Sequence, residues 1–323
     1  MSAPLISIVI TTYNMQKYIS RAINSVLMQD IRVPYEIIIA DDYSTDDTLN
    51  IVNAYQKQYP NIIIINSEEN KGLIHNFVKG LKHCNGQYIA TLDADDYWID
   101  EKKLQKQFDI LEKQNHIGFV YTNFYYEYEG FGIRKKGIKD DHQPSADNEY
   151  IDNLINLWPQ ISTPLIRKKL LDFAELDQFV TLQFHAQDYP LFMSLSLKTK
   201  GFFLNNVTTV YNFRQGSMSR NHDIKKRIEI FYKTHAIGDY FIERNPIPKD
   251  IADKRDFDFK LKVLSASWHS RDFDYVHSFA KDILIKDFLR YAPFRTHVLL
   301  GSNNRLLYHL LKIWVLRKRK PGK

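Results

Sequence analysis

The chain reads as an α/β fold: a mostly parallel central sheet with a helical appendage at the C-terminal end. Three observations carry that reading. Short apolar runs alternate with amphipathic segments over the first 120 residues. Each of three such runs ends abruptly in a polar or acidic cluster. Strand-like sequence stops near residue 223, and only helical patterning follows. Apolar strands alternating with helices imply a parallel sheet covered on both faces, with right-handed crossovers.

Residues 5–10, 35–40, 61–66 and 87–92 are dense in Ile, Val and Leu and predict buried strands. Residues 17–29, 46–59, 73–84 and 101–115 space their apolar side chains as helices do. Ser44 or Asp46 is the expected N-cap of the second helix. Beyond Gly118 an aromatic run at 119–128 predicts another strand, and 130–148 is polar and reads as a loop. Further strands are expected at 161–167 and 202–213, around a helix near 188–199.

The 323 residues are sufficient for a full core and an appendage. The net charge of +6 is local: without residues 317–323, which carry five basic groups and no acid, 39 basic side chains face 38 acidic ones. A general nucleic-acid-binding surface is therefore not expected. Cys84 is the single cysteine, which excludes an intramolecular disulfide and fits a reducing compartment. It reads as a small buried residue rather than a nucleophile. No run reaches the ~18 apolar residues of a membrane span.

The polar groups that end the strands are the candidate site. Strand one runs into Thr11-Thr12-Tyr13-Asn14, strand two into Asp41-Asp42-Tyr43-Ser44, and strand four into Asp93-Ala94-Asp95-Asp96. Following their strands, they should gather on one rim of a parallel sheet, where open α/β sheets place ligands. Carboxylates crowded beside a core repel one another, and a divalent cation with a nucleotide diphosphate relieves that conflict. No glycine-rich phosphate cradle of the G-x-G-x-x-G or Walker type is present. Any phosphate would therefore be bridged by a cation.

Together with Asn70-Lys71-Gly72 and Gly86-Gln87-Tyr88-Ile89, these segments resemble the family 2 glycosyltransferases of GT-A fold over about residues 4–125. A looser similarity runs through His185-Ala186-Gln187-Asp188-Tyr189-Pro190 to about residue 219. The resemblance implies a catalytic domain over residues 1–220, and the strand-free remainder reads as a helical region with a basic tail over 221–323. It implies that Thr11, Tyr13, Asp41 and Asp42 contact the nucleoside, that Asp93 faces the ribose, and that Asp95 ligates Mg²⁺ or Mn²⁺ at the donor pyrophosphate. Asp96 would stand behind the metal or orient the acceptor. Asp188 would be the base, with Gln187 where the family usually carries a first acid; Asp188 also reads as a helix cap, and the two roles are compatible. Arg214 would reach the diphosphate or pair with an acid.

The implied reaction is transfer of one sugar, with inversion, from a UDP- or dTDP-linked donor to a glycan or lipid-linked glycan in bacterial cell-surface polysaccharide synthesis. The Q-x-x-R-W motif of processive synthases is absent, and residues 70–77 resemble a rhamnosyltransferase-like branch. A haloacid-dehalogenase-type phosphatase also uses Asp-x-Asp after a strand, but Tyr97 stands where its motif carries Thr or Val. A catalytically degenerate scaffold or glycan-binding subunit is the non-enzyme alternative, against which intact Asp93, Asp95 and Asp188 count. The site implied is cytoplasmic. Leu306, Leu310, Ile313 and Trp314 share a helical face beside basic residues 317–320. That pattern fits an interfacial helix on an anionic membrane surface, peripheral to the inner face of the cytoplasmic membrane, or a terminal helix packed on its own domain.

Overall fold

A computed structural model describes residues 3–140, 143–144, 149–156, 159–214 and 223–269. The chain divides into two compact units, Met1–Arg220 and Asn221–Lys323. The membrane-helix expectation at 306–320 lies outside the described residues, as do 217–219.

In the first unit, β1 (Ile6–Thr12), β2 (Tyr35–Asp41), β3 (Ile62–Asn66) and β4 (Tyr88–Asp93) form the parallel half of one sheet, in the order β3-β2-β1-β4. All seven residues of β1 are buried, as a strand covered on both faces requires. Helices α1 (Ile19–Leu27), α2 (Thr48–Gln58) and α3 (Leu73–Lys82) are the crossovers. Helix α1 buries Ile19, Ala22, Ile23 and Val26 along one face, and α3 buries Ile74, Phe77, Val78 and Leu81. A Cβ on Gly80 would stand 2.8 Å from Val9 and 3.1 Å from Ala40, so glycine there lets α3 lie close on the sheet.

The second half of the sheet is antiparallel in most of its pairings, so the sheet as a whole is mixed. After β5 (Tyr97–Trp98) and α4 (Lys103–Lys113), the long β6 (Ile117–Tyr128) pairs antiparallel with β8 (Leu165–Arg167), which pairs antiparallel with β4. Strand β9 (Lys200–Phe213) runs parallel to β6 and pairs antiparallel with β5. The stretch expected as a loop contains β7 (Ile133–Lys136), hairpinned onto β6. Helices α5 (Glu149–Asn156), α6 (Phe173–Thr181) and α7 (Asp188–Lys198) complete the described part of this unit. Asp172 caps α6 by accepting from Ala174 and Glu175 N–H.

In the second unit, α8 (Ile224–Arg244) and α9 (Lys249–His269) are two 21-residue helices. Asp223 caps α8. The His235 ring stacks on Phe259 at 4.1 Å, and Arg255, 7% exposed, pairs with Asp239 at 2.6 Å. Among the described residues no helix is long and apolar enough to cross a membrane.

Candidate functional site

The parallel register brings the C-terminal ends of β1, β2 and β4 level. Thr12 lies opposite Asp41, and Thr11 opposite both Ala40 and Asp93. Thr11, Asp41, Asp42 and Asp93 therefore share one edge of the sheet. Tyr13 follows β1 and is 42% exposed on the same edge.

The β2 end is braced by hydrogen bonds. Buried Asp41 accepts from Ser44 N–H at 2.8 Å and from the Ser44 hydroxyl. Buried Asp42 accepts from the backbone N–H groups of Lys71 at 3.0 Å and Gly72 at 2.8 Å. Gly72 has φ +90°, a backbone that favours glycine and turns both amides toward that carboxylate. Neither residue expected as the cap of α2 takes that position: Ser44 is engaged by Asp41, and Asp47 is the N-cap, with Asp46 before it accepting from Thr48 N–H. Asn14, with φ 53°, accepts from Thr45 N–H at 2.8 Å and ties the β1 end to the β2 end.

The acidic cluster is a tight turn. Asp96 N–H donates to the Asp93 carbonyl at 2.9 Å, which leaves Ala94 and Asp95 at the corner. Asp93 accepts from the Thr11 hydroxyl at 2.7 Å and from the Gln187 amide at 2.7 Å, both on Oδ1. Burial, and then the neighbouring Asp95, push its carboxyl up to about 7. Asp95 takes the Arg214 guanidinium at 2.6 Å, with both side chains about one-fifth exposed. Asp96 is 1% exposed and accepts from three donors: Gln160 at 2.9 Å, the Ser162 hydroxyl at 2.6 Å and Asn212 N–H at 2.9 Å. Burial and the adjacent carboxylates still raise its pKa well above the ordinary value.

Asp188 is the first residue of α7 and accepts from Tyr189 N–H at 2.8 Å. Burial raises its pKa. Gln187, 3% exposed, joins the start of α7 to the acidic turn through Asp93.

The structure thus ties Thr11 and Gln187 to Asp93, with Asp188 next to Gln187, and pairs Asp95 with Arg214. Asp96 faces inward, away from the open rim. Sequence reading had no signal for Gln160 and Ser162, whose partners lie 64 to 69 residues away.

A divalent cation suits this donor set. The rim offers the hard carboxylate oxygens that Mg²⁺ and Mn²⁺ prefer. Asp95 already faces a cationic group, so positive charge is accommodated there. Among the described residues, the set of three acids or histidines whose ligand atoms converge within 4.8 Å is His235, Asp239 and Asp256, on α8 and α9. Asp93, Asp95 and Asp96 do not close on one point in that way. A cation at Asp95 would therefore draw on few of this turn's carboxylates.

The family model described as Glycosyl transferase family 2 matches residues 7–169. Among curated proteins, the Escherichia coli UDP-Glc:alpha-D-GlcNAc-diphosphoundecaprenol beta-1,3-glucosyltransferase WfaP is 33% identical over 221 residues, 67% of this chain and 80% of that protein. The putative teichuronic acid biosynthesis glycosyltransferase TuaG of Bacillus subtilis (strain 168) is 36% identical over 38% of this chain and 47% of its own length. The chain spans only 31% of an uncharacterized Mycobacterium tuberculosis protein, Rv1520, that is 40% identical over 108 residues. Several curated relatives are thus matched over less than half their length. Among solved structures, S. aureus TarS 1-349 in complex with UDP-GlcNAc aligns with a TM-score of 0.57 at 19% identity, over 95% of this chain and 87% of that one. The mannosyltransferase PcManGT from Pyrobaculum calidifontis, in complex with GDP-Man and Mn2+, aligns with a TM-score of 0.56 at 14% identity, over 100% and 89%. These likenesses show the GT-A fold.

Proposed function

The chain belongs to glycosyl transferase family 2, and we propose that it moves one sugar, with inversion, from a nucleoside-diphosphate sugar to a hydroxyl of a glycan or lipid-linked glycan. The product would be part of a bacterial cell-surface polysaccharide, as the names of WfaP and TuaG suggest for those relatives. One observation carries the reading. The Gln187–Asp93 hydrogen bond of 2.7 Å draws Asp188, at the start of α7, up to the acidic turn at the end of β4. A base and a diphosphate site are then neighbours, as a single displacement requires.

In this reading Tyr13 stacks on the base, and Thr11, Asp41 and Asp42 line the nucleoside side of the pocket. The two Asp42-bound amides hold that wall rigid. Asp93 faces the ribose. The Asp188 carboxylate takes the proton of the acceptor hydroxyl as its oxygen attacks the anomeric carbon and the bond to the diphosphate breaks. Burial of Asp188 makes it the stronger proton acceptor. Asp95 would hold Mg²⁺ or Mn²⁺, which when bound supplies Lewis-acid stabilisation of charge on the departing diphosphate. Arg214, paired with Asp95, is a cationic side chain that would turn to that charge. Asp96 braces the turn from behind.

A uridine or thymidine donor is our preferred reading, acting on the cytoplasmic side, where the basic C-terminal residues would meet anionic lipid. The test is a thermal-shift screen of UDP-, dTDP- and GDP-sugars with and without Mn²⁺, followed by a transfer assay on those that bind. We expect a nucleotide sugar to stabilise the protein only with Mn²⁺, and Asp95→Asn to remove that effect. If no nucleotide sugar stabilises the wild-type protein under either condition, the proposal fails.

A further inference from the structure

We propose that Ser162 is a positioning residue whose single hydroxyl clamps both ends of the turn that presents Asp95. The inference rests on the metal-site reading above and assigns a residue to it. The turn begins at Asp93 and closes at Asp96. Ser162 Oγ accepts from the Asp93 backbone N–H at 3.1 Å and donates to the Asp96 carboxylate at 2.6 Å. One side chain therefore fixes the first and last residues of a four-residue turn and leaves its corner, Asp95, to face the rim.

The clamp is itself held. Ser162 is fully buried, and its N–H donates to Gln160 Oε1 at 2.8 Å. The Gln160 amide nitrogen donates to the same Asp96 oxygen at 2.9 Å. The Ser162 carbonyl accepts from the Trp98 indole N–H at 2.8 Å, and Trp98 is 1% exposed. The next residue is anchored too, because Gln107 donates to the Thr163 carbonyl at 2.9 Å. The indole also lies 4.2 Å from the buried Lys103 ammonium. Asp96 belongs to the same device. Its other oxygen accepts from Asn212 N–H, two residues before the Arg214 that pairs with Asp95. The turn and its cationic partner are thereby referenced to one buried point.

Partners behind a metal ligand set its orientation, and removing one typically weakens metal binding about 10- to 100-fold. The experiment titrates Mn²⁺ by electron paramagnetic resonance in the presence of UDP, dTDP and GDP in turn. The full chain is used, with folding followed by circular dichroism. Ser162→Ala is expected to weaken Mn²⁺ binding by about 10- to 100-fold. Gln160→Met, at a half-buried side chain, should weaken it severalfold and serves if Ser162→Ala does not fold. Ser7→Ala is the control: that hydroxyl is equally buried and also bridges a carboxylate and an amide, Glu36 and Gly86 N–H, but at the opposite end of the sheet. It should lower stability and leave Mn²⁺ affinity unchanged. A folded Ser162→Ala with wild-type affinity, or an equal loss in Ser7→Ala, overturns the positioning role alone. Failure of the wild-type chain to bind Mn²⁺ with any of the three nucleotides overturns the metal reading, and this role with it.

Discussion

Asp93→Asn should make the protein more stable at pH 8 and a poorer binder of its donor. Asp93 sits in a partly buried place beside Asp95, and its carboxyl is raised from an ordinary 3.8 to about 7. Well below pH 3.8 both folded and unfolded chains hold the proton, and the site costs nothing. As the pH climbs from 4 to 7 the unfolded chain releases the proton while the folded one keeps it, so stability falls. Above 7 the cost is fully developed. A rise from 3.8 to about 7 corresponds to about 4 kcal/mol, which is a ceiling because the fold relaxes around a charge. Asparagine removes the charge and keeps both hydrogen bonds, since Thr11 and Gln187 donate to the same oxygen. Urea unfolding of wild type and variant without metal, at pH 4.5 and pH 8, measures the difference directly. We expect the variant to gain about 1–4 kcal/mol at pH 8 and only about a quarter of that at pH 4.5. Nucleotide binding with Mn²⁺ should weaken in the same variant. An identical difference at both pH values would refute the electrostatic argument.

The other expectations test separate parts of the site. Asp188→Asn should bind nucleotide sugar with Mn²⁺ as wild type does and lose transfer by about 10²- to 10⁴-fold; normal turnover would remove Asp188 from the mechanism. Arg214→Gln frees Asp95 of its guanidinium, so Mn²⁺ without nucleotide should bind about two- to fivefold more tightly, the size of a partly exposed ion pair. Weaker binding of Mn²⁺ alone would show that the arginine does not compete. Cys84 is 2% exposed and its thiol is pushed up to about 12, chiefly by burial, so iodoacetamide should modify it only after unfolding.

The parallel half of the sheet was legible because its signal is local. Short isoleucine runs such as Ile37–Ile39, bounded by turn residues, read as buried strands, and the polar residues that end them fall on one rim once the strands are parallel. The elements that sequence reading missed have no such signal. Strand β5 is two residues long and exists because Tyr97 and Trp98 meet Val210 and Thr209. The orientation of the second half follows from β8, three residues long, which turns β6 antiparallel to itself. Within the site, the acids and Arg214 were visible but the particular pairings were not. Arg214 reaches Asp95 across 119 residues, and Asn212 reaches Asp96 across 116. Asp96 illustrates the consequence. From sequence it stands behind the metal or orients the acceptor. In the fold it is the one whose lone pairs are already taken.

Gln187 shows how the site tolerates so many acids. Asp93 and Asp188 are both raised by burial, and Asp188 adds its charge to the field at Asp93. The family usually carries an acid at position 187, 2.7 Å from Asp93 in this arrangement. Two carboxylate oxygens at that distance hold together only with a proton between them. The amide substitutes a donor for that proton and keeps α7 attached to the turn at every pH. Its own oxygen is buried without a hydrogen-bond partner, so a carboxylate there would gain nothing on its far side. Gln187→Glu should therefore match wild type in melting temperature at pH 5, where the introduced carboxyl and Asp93 can share a proton, and fall progressively below it between pH 6 and 8. The same variant should bind the donor nucleotide less tightly at pH 8, because the start of α7 is pushed from the turn. A Gln187→Glu protein as stable as wild type at pH 8 would show that the two side chains separate without consequence, and that the 2.7 Å bond does not hold Asp188 in place.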